Sequence, residues 1–136
     1  MRIFLDTNVL VSAFATRGLC ADLFRHVVSE HELIVGEVVL DELRRILRRR
    51  FKVPAETVKS IETLLRDHTV VPRPERTLSL GLRDSDDEWV VASAVAASAD
   101  IIVTGDGDIL TAKKLPVRAV NPRGLWELLR TSGPKT

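Results

Sequence analysis

Five short, largely apolar runs alternate with stretches of helical length, and this alternation constrains the fold more than any other feature. The runs are 2–5 (Arg-Ile-Phe-Leu), 33–35 (Leu-Ile-Val), 69–71 (Thr-Val-Val), 101–103 (Ile-Ile-Val) and 117–120 (Val-Arg-Ala-Val). Each is strand length, and helical sequence separates one from the next except between the last two. That pattern predicts an α/β protein with a parallel sheet covered on both faces. Right-handed crossovers then place strand C-termini and the N-termini of the following helices at one sheet edge. Ligands of open α/β sheets bind at that edge. Periodicity alone does not decide which strands are neighbours.

The helical segments read as 8–16, 19–29, 37–51, 55–67, about 84–98, and 122–131. Gly18 is a candidate stop for the first of these, and Lys52-Val53-Pro54 breaks the third. Asn121-Pro122 starts the last, with Asn as N-cap and Pro at the first helical position. Residues 72–83 read as irregular. A chain of 136 residues fits one domain, read here as 1–131 followed by a flexible tail, 132–136. No apolar stretch is long enough to span a bilayer. Met1-Arg2 runs straight into a strand, which reads as the absence of a signal peptide and a cytoplasmic setting. The single cysteine, Cys20, excludes an internal disulfide and reads as a small core residue.

The fold pattern gathers acids. Asp6 follows the first strand and Asp106 follows the fourth, so both belong at the C-terminal edge. Glu42 and Asp87 lie in the first turns of helices that begin at that edge. Carboxylates brought together repel unless a cation lies between them. Oxygen ligands of this kind suit Mg²⁺ or Mn²⁺, which carry phosphate substrates, polarise phosphoryl oxygens and activate water. His26, His31 and His68 lack the paired spacing of a zinc site.

Each acid also has a plain structural reading. Acids favour helix N-termini, and Ser85-x-x-Glu88 matches a capping box. Asp87 is therefore assigned to the metal, and Asp84 and Asp86 to capping or to supporting the ligands. Glu42 falls at the border of the apolar stripe near Ile46, and could instead pair with Arg45 or Arg49. Asp106 and Asp108 flank Gly107 and could serve a turn, with Asp108 as a further candidate ligand.

Net charge is only +1, but six of the 20 basic residues fall between Arg44 and Lys52. Seven of the 19 acids fall between Asp84 and Asp108. A basic patch beside an acidic pocket suits a polyanion held next to metal ions. Arg44, Arg45, Arg48 and Arg49 are the candidate RNA contacts, beside the alternative of a solvated helix face. Trp89 and Trp126 read as core.

Together, Asp6-Thr7-Asn8-Val9-Leu10, the helical Glu42, Asp84-Ser85-Asp86-Asp87 and Val103-Thr104-Gly105-Asp106 resemble the PIN domain (PilT N-terminal domain) family. The nearest branch is that of the small prokaryotic VapC-like toxins of toxin–antitoxin pairs. The resemblance implies a three-layer α/β/α sandwich with a five-stranded parallel sheet in the order 3-2-1-4-5. It implies a Mg²⁺- or Mn²⁺-dependent endoribonuclease whose acidic set corresponds to Asp6, Glu42, Asp87 and Asp106. Asn8 matches the polar residue after the first acid, and Thr104 the small hydroxyl residue before the last. Ser85 stands where relatives often carry proline. RNA substrate, a cognate antitoxin and a homodimer are the partners the family implies.

Two other readings compete. Gly105-Asp106-Gly107-Asp108 resembles the late acidic motif of haloacid-dehalogenase-like phosphatases. That family needs an aspartate two residues after the first, where this chain has Asn8. The other is a PIN-like module that binds RNA or protein without cutting.

Overall fold

The computed structural model describes residues 1–131, so the expected tail, 132–136, lies outside the described residues. Five parallel strands form one sheet: β1 (Arg2–Leu5), β2 (Glu32–Gly36), β3 (Thr69–Val71), β4 (Ile101–Val103) and β5 (Arg118–Val120). Their order is β3-β2-β1-β4-β5, as the resemblance implies. The helices are α1 (Thr7–Ala15), α2 (Leu19–Glu30), α3 (Glu37–Arg49), α4 (Ala55–Arg66), α5 (Ser85–Ala96), α6 (Gly107–Leu110) and α7 (Pro122–Thr131). They cover both faces of the sheet, giving the three-layer α/β/α sandwich.

Hydrophobicity explains the order of burial. The central strands β1 and β4 contribute Ile3, Phe4, Leu5, Ile101, Ile102 and Val103, all essentially inaccessible to solvent. A strand buried on both faces must be apolar at every position, which is why these runs do not alternate. The outer strands β3 and β5 are less apolar and more exposed. At Gly36, which closes β2, a side chain would be crowded. A Cβ at that position would lie 3.1 Å from the Phe4 ring and 3.4 Å from Ser93 Cβ on α5.

Two local expectations need correction. Gly18 does not end the first helix. Thr16 does, its N–H and its hydroxyl both bonding to the Ser12 carbonyl. Gly18 instead starts α2, with φ of +137°, a backbone angle that disfavours a side chain. The segment after β4, read as a turn, contains the one-turn helix α6. The last helix starts as its sequence predicts, with Asn121 Oδ1 accepting from Gly124 N at 2.7 Å.

The N-terminal edge of the sheet is fastened by Arg2. Its guanidinium donates to the Ala97 and Ser98 carbonyls at the end of α5, at 2.6 and 3.3 Å, and to Glu32 at 2.6 Å. A cation on the last carbonyls of a helix satisfies acceptors that lack intrahelical partners. The acids of interest lie at the other edge.

Candidate active site at the carboxylate edge

Register brings the first two site residues together. Leu5 pairs with Val103, and the ladder runs one residue further through Asp6 N to Val103 O at 2.9 Å. Asp6 and Thr104 therefore stand side by side, both buried. The Asp6 carboxylate accepts from Thr7 N on one oxygen and from Thr104 Oγ1 on the other, each at 2.7 Å. The first bond makes Asp6 the N-cap of α1.

Thr104 passes the connection onward. Its hydroxyl donates to Asp6 and accepts from Asp106 N at 3.0 Å, which fixes the rotor. Asn8 Oδ1 accepts from Gly105 N at 3.1 Å, holding the turn after β4 against α1. Asp106 caps α6, its Oδ1 accepting from Asp108 N at 2.8 Å.

Asp87 faces this turn from the first turn of α5. Carboxylate oxygens of Asp87, Asp106 and Asp108 lie within 4.8 Å of one another. Burial pushes the Asp87 carboxyl up to about 7, helped by a hydrogen bond with Asp106 and by the charges of Asp106, Asp84 and Asp6. Burial also raises the Asp6 carboxyl, against the pull of its bonds to Thr104 and Thr7, with the Asp106 charge adding to the rise. Glu42 is raised by burial and by the charge of Asp6, with the Thr7 hydroxyl and Arg45 opposing. Thr7 Oγ1 is buried and makes no hydrogen bond among the described residues.

Three acids at one edge thus resist ionisation, each chiefly because it is buried and then because neighbouring carboxylates repel its charge. The donor set is all oxygen, with no histidine or cysteine among the clustered groups. A hard divalent ion fits such a set. The residues divide differently from the sequence reading. Asp108, a further candidate there, is in the tight group, while Asp6 sits deeper and acts on the group through its charge. Asp108 also binds Arg83, whose Nε and Nη2 lie 3.2 and 3.0 Å from its oxygens and hold its carboxyl below the usual range.

The supporting acids separate as well. Asp84 is the cap of α5, accepting from Asp86 N at 2.9 Å. The capping box does not form. Glu88 instead accepts from Leu80 N at 2.6 Å, tying down the irregular 72–83 segment. Asp86 lines a cleft of about 180 Å³ together with Glu42, Arg45, Arg73 and Trp89. Trp89, read as core, is only half buried, and Arg73 covers its ring at 4.1 Å. No periodicity could have found Arg73, because it comes from a loop whose course the sequence leaves open.

The basic run divides too. Arg44 is committed to Glu62 at 3.0 Å and Asp41 at 3.2 Å, and Arg48 donates to the Val53 carbonyl at 3.0 Å. Arg45 alone of the four candidates lines the cleft.

A family model described as a PIN domain matches residues 2–108. The chain belongs to the PIN domain family. Its sheet order is thus that of a PIN fold. Solved structures agree. VapBC2 from Rickettsia felis, bound to a DNA fragment from its promoter, is 17% identical, with TM-score 0.62, covering 89% of this chain and 98% of that one. FitAcB from Neisseria gonorrhoeae is 19% identical, with TM-score 0.63, covering 89% and 98%. VapC20 from Mycobacterium tuberculosis, described as a toxin that cleaves the sarcin–ricin loop, is 18% identical, with TM-score 0.57, covering 85% and 98%. At these identities the likeness is one of fold. No curated protein matches the chain.

Proposed function

We propose that this PIN domain, residues 1–131, is a Mg²⁺- or Mn²⁺-dependent endoribonuclease and the toxin of a type II toxin–antitoxin pair, acting on cytoplasmic RNA. One observation carries the reading: three carboxylates with oxygens within 4.8 Å, one of them pushed up to about 7 by burial and by its acidic neighbours. Asp87 and Asp106 would hold the ion, with Asp6, Asp108 and Glu42 completing its surroundings. Such an ion, when bound, polarises phosphoryl oxygens and acidifies water. Glu42, which lines the cleft, would orient a water and accept its proton. Thr104 and Asn8 hold the two strand ends in register so that the carboxylates keep their spacing. Asp84 starts α5 and so aims Asp87.

The toxin role draws on the fold likeness to VapBC2, FitAcB and VapC20, and a cognate antitoxin and a homodimer are the partners that role brings. The direct test is cleavage of RNA with Mg²⁺ or Mn²⁺, compared with chelator and with Asp6→Asn. Activity unchanged by either treatment sinks the mechanism. A calorimetric titration showing no Mn²⁺ binding beside intact RNA affinity would point to a non-cutting module. Expression should arrest growth; harmless expression of soluble, cleavage-competent protein counts against the toxin role.

A further inference from the structure

The cleft beside the carboxylates has a composition that metal binding does not explain. Trp89 offers an aromatic face at its wall, and the Arg73 guanidinium carbon lies over that ring, 4.1 Å from its centroid. Arg73 is exposed, comes from the irregular 72–83 segment, and makes no ion pair among the described residues. Arg45, on the same wall, likewise makes none. Among the described residues both cations thus stand without a carboxylate ion pair in a cleft that also holds Asp41, Glu42 and Asp86, Arg45 acting on Glu42 only through its charge.

The mixed charge argues against a simple phosphate pocket. Asp41 is neutralised by Arg44 at 3.2 Å, which leaves Asp86 and Glu42 facing Arg45 and Arg73. A flat, neutral group with donors on one edge and acceptors on another suits such walls. Guanine has that pattern: O6 and N7 accept from an arginine, and its Watson–Crick edge donates to a carboxylate. Aromatic faces stack bases splayed out of single strands.

We propose that this cleft is a nucleobase subsite that receives an unpaired guanine next to the carboxylate cluster. The base takes the Trp89 face that Arg73 now covers. Arg73, released, pairs with the phosphate of that nucleotide. Asp86 accepts from the Watson–Crick edge, and Arg45 donates to O6 and N7. Glu42 belongs to both the cleft and the acidic edge, so a base seated here sets which phosphate reaches the carboxylates. This inference rests on the ribonuclease reading but is tested by binding rather than turnover.

The chain has two tryptophans and no tyrosine, so Trp126→Phe leaves Trp89 as the only strong emitter. That protein is titrated with single-stranded tetraribonucleotides, either all cytosine or with one guanine, with Ca²⁺ replacing Mg²⁺ to hold off turnover. Saturable quenching is expected, about tenfold tighter for the guanine oligomer. Arg73→Ala, an exposed change, should lower the salt dependence by about 0.7 in log–log slope, the loss of one phosphate contact. Asp86→Asn should shrink the guanine preference. Silent Trp89 emission overturns the subsite, and equal affinity for both oligomers overturns guanine as its occupant. Should Trp126→Phe fold poorly, filter binding with otherwise wild-type Arg73→Ala and Asp86→Asn reads the same two effects. Quenching by a protein that cuts no RNA under any metal would leave the subsite standing and remove the nuclease reading.

Discussion

Two regions of this molecule hold acids at comparable density and treat them in opposite ways. Between α3 and α4, Glu37 and Glu62 meet Arg66 and Arg44, with Arg66 Nη2 at 3.1 Å from Glu37 and 2.9 Å from Glu62. The arginine bonds hold Glu37 and Glu62 below the usual carboxylate range. At the carboxylate edge, Asp6, Glu42 and Asp87 are all raised, chiefly by burial and then by neighbouring carboxylates. One region is a completed ion-pair network that ties two helices together. The other is a set of partly buried acids that repel one another, a repulsion that an added cation would relieve. An acid's role here is set by what faces it.

The sharpest way to break the contrast is to neutralise one acid in each region. Asp106→Asn should lower metal-dependent RNA cleavage by at least about 100-fold, on the order of 3 kcal/mol or more of lost transition-state stabilisation. Glu37→Gln should leave the cleavage rate within about twofold. Initial rates on one RNA substrate measure both, and equal losses would erase the distinction.

Some of this contrast was legible in the sequence. Asp6 and Asp106 could be placed because each follows an apolar run, and a parallel sheet sends all such residues to one edge. Asp87 and Glu42 could be placed because their helices start there. The neighbour relation of β1 and β4 came only with the family resemblance, since periodicity is blind to strand order. The pairing of Arg44 with Glu62 was hidden because it joins two helices across 18 residues. Arg83 on Asp108 and Arg73 on Trp89 were hidden for a related reason: both arginines come from residues 72–83, whose path no local pattern fixes. The one-turn helix α6 is too short to show a period.

A smaller effect tests whether a cation relieves that repulsion. Mg²⁺ or Mn²⁺ at 100 times its dissociation constant should stabilise the protein by about 2.7 kcal/mol. Thermal unfolding with and without the ion measures this, and Asp87→Asn combined with Asp106→Asn should abolish the shift. A shift that survives the double substitution places the ion elsewhere.

The two regions should also answer pH with opposite signs. Asp87 is raised from 3.8 to about 7, so the folded protein binds its proton more tightly than the unfolded chain does. Metal-free stability therefore falls as pH rises through that window. Allowing for solvent screening of a half-exposed group, the loss is about 1 kcal/mol, and Asp87→Asn should remove it. Glu37 and Glu62 are lowered, so their contribution is present above about 4.5 and fades as pH falls below that value. Denaturant unfolding of metal-free protein between pH 4 and 8 tests both slopes. The smallest effect is Arg66→Ala, at about 0.5 kcal/mol, because its partners are partly exposed and salt screens them. Its cost should shrink in 1 M salt, and a cost that does not shrink would mean that packing dominates there.

Asp6 and Asp106 each begin a helix as well as bearing a charge, through bonds from Thr7 N and Asp108 N to their carboxylate oxygens. At Asp106 asparagine keeps the oxygen that accepts from Asp108 N and discards the negative charge; at Asp6 it also gives up the oxygen that accepts from the Thr104 hydroxyl. Alanine discards both, at about 1 kcal/mol for the lost cap. The charged rim and a neutral rim on the same scaffold are therefore separated by one amide group in place of one oxygen. Substrate affinity, partner affinity and stability can each be measured on that neutral twin, with the helices that frame the cleft still properly begun.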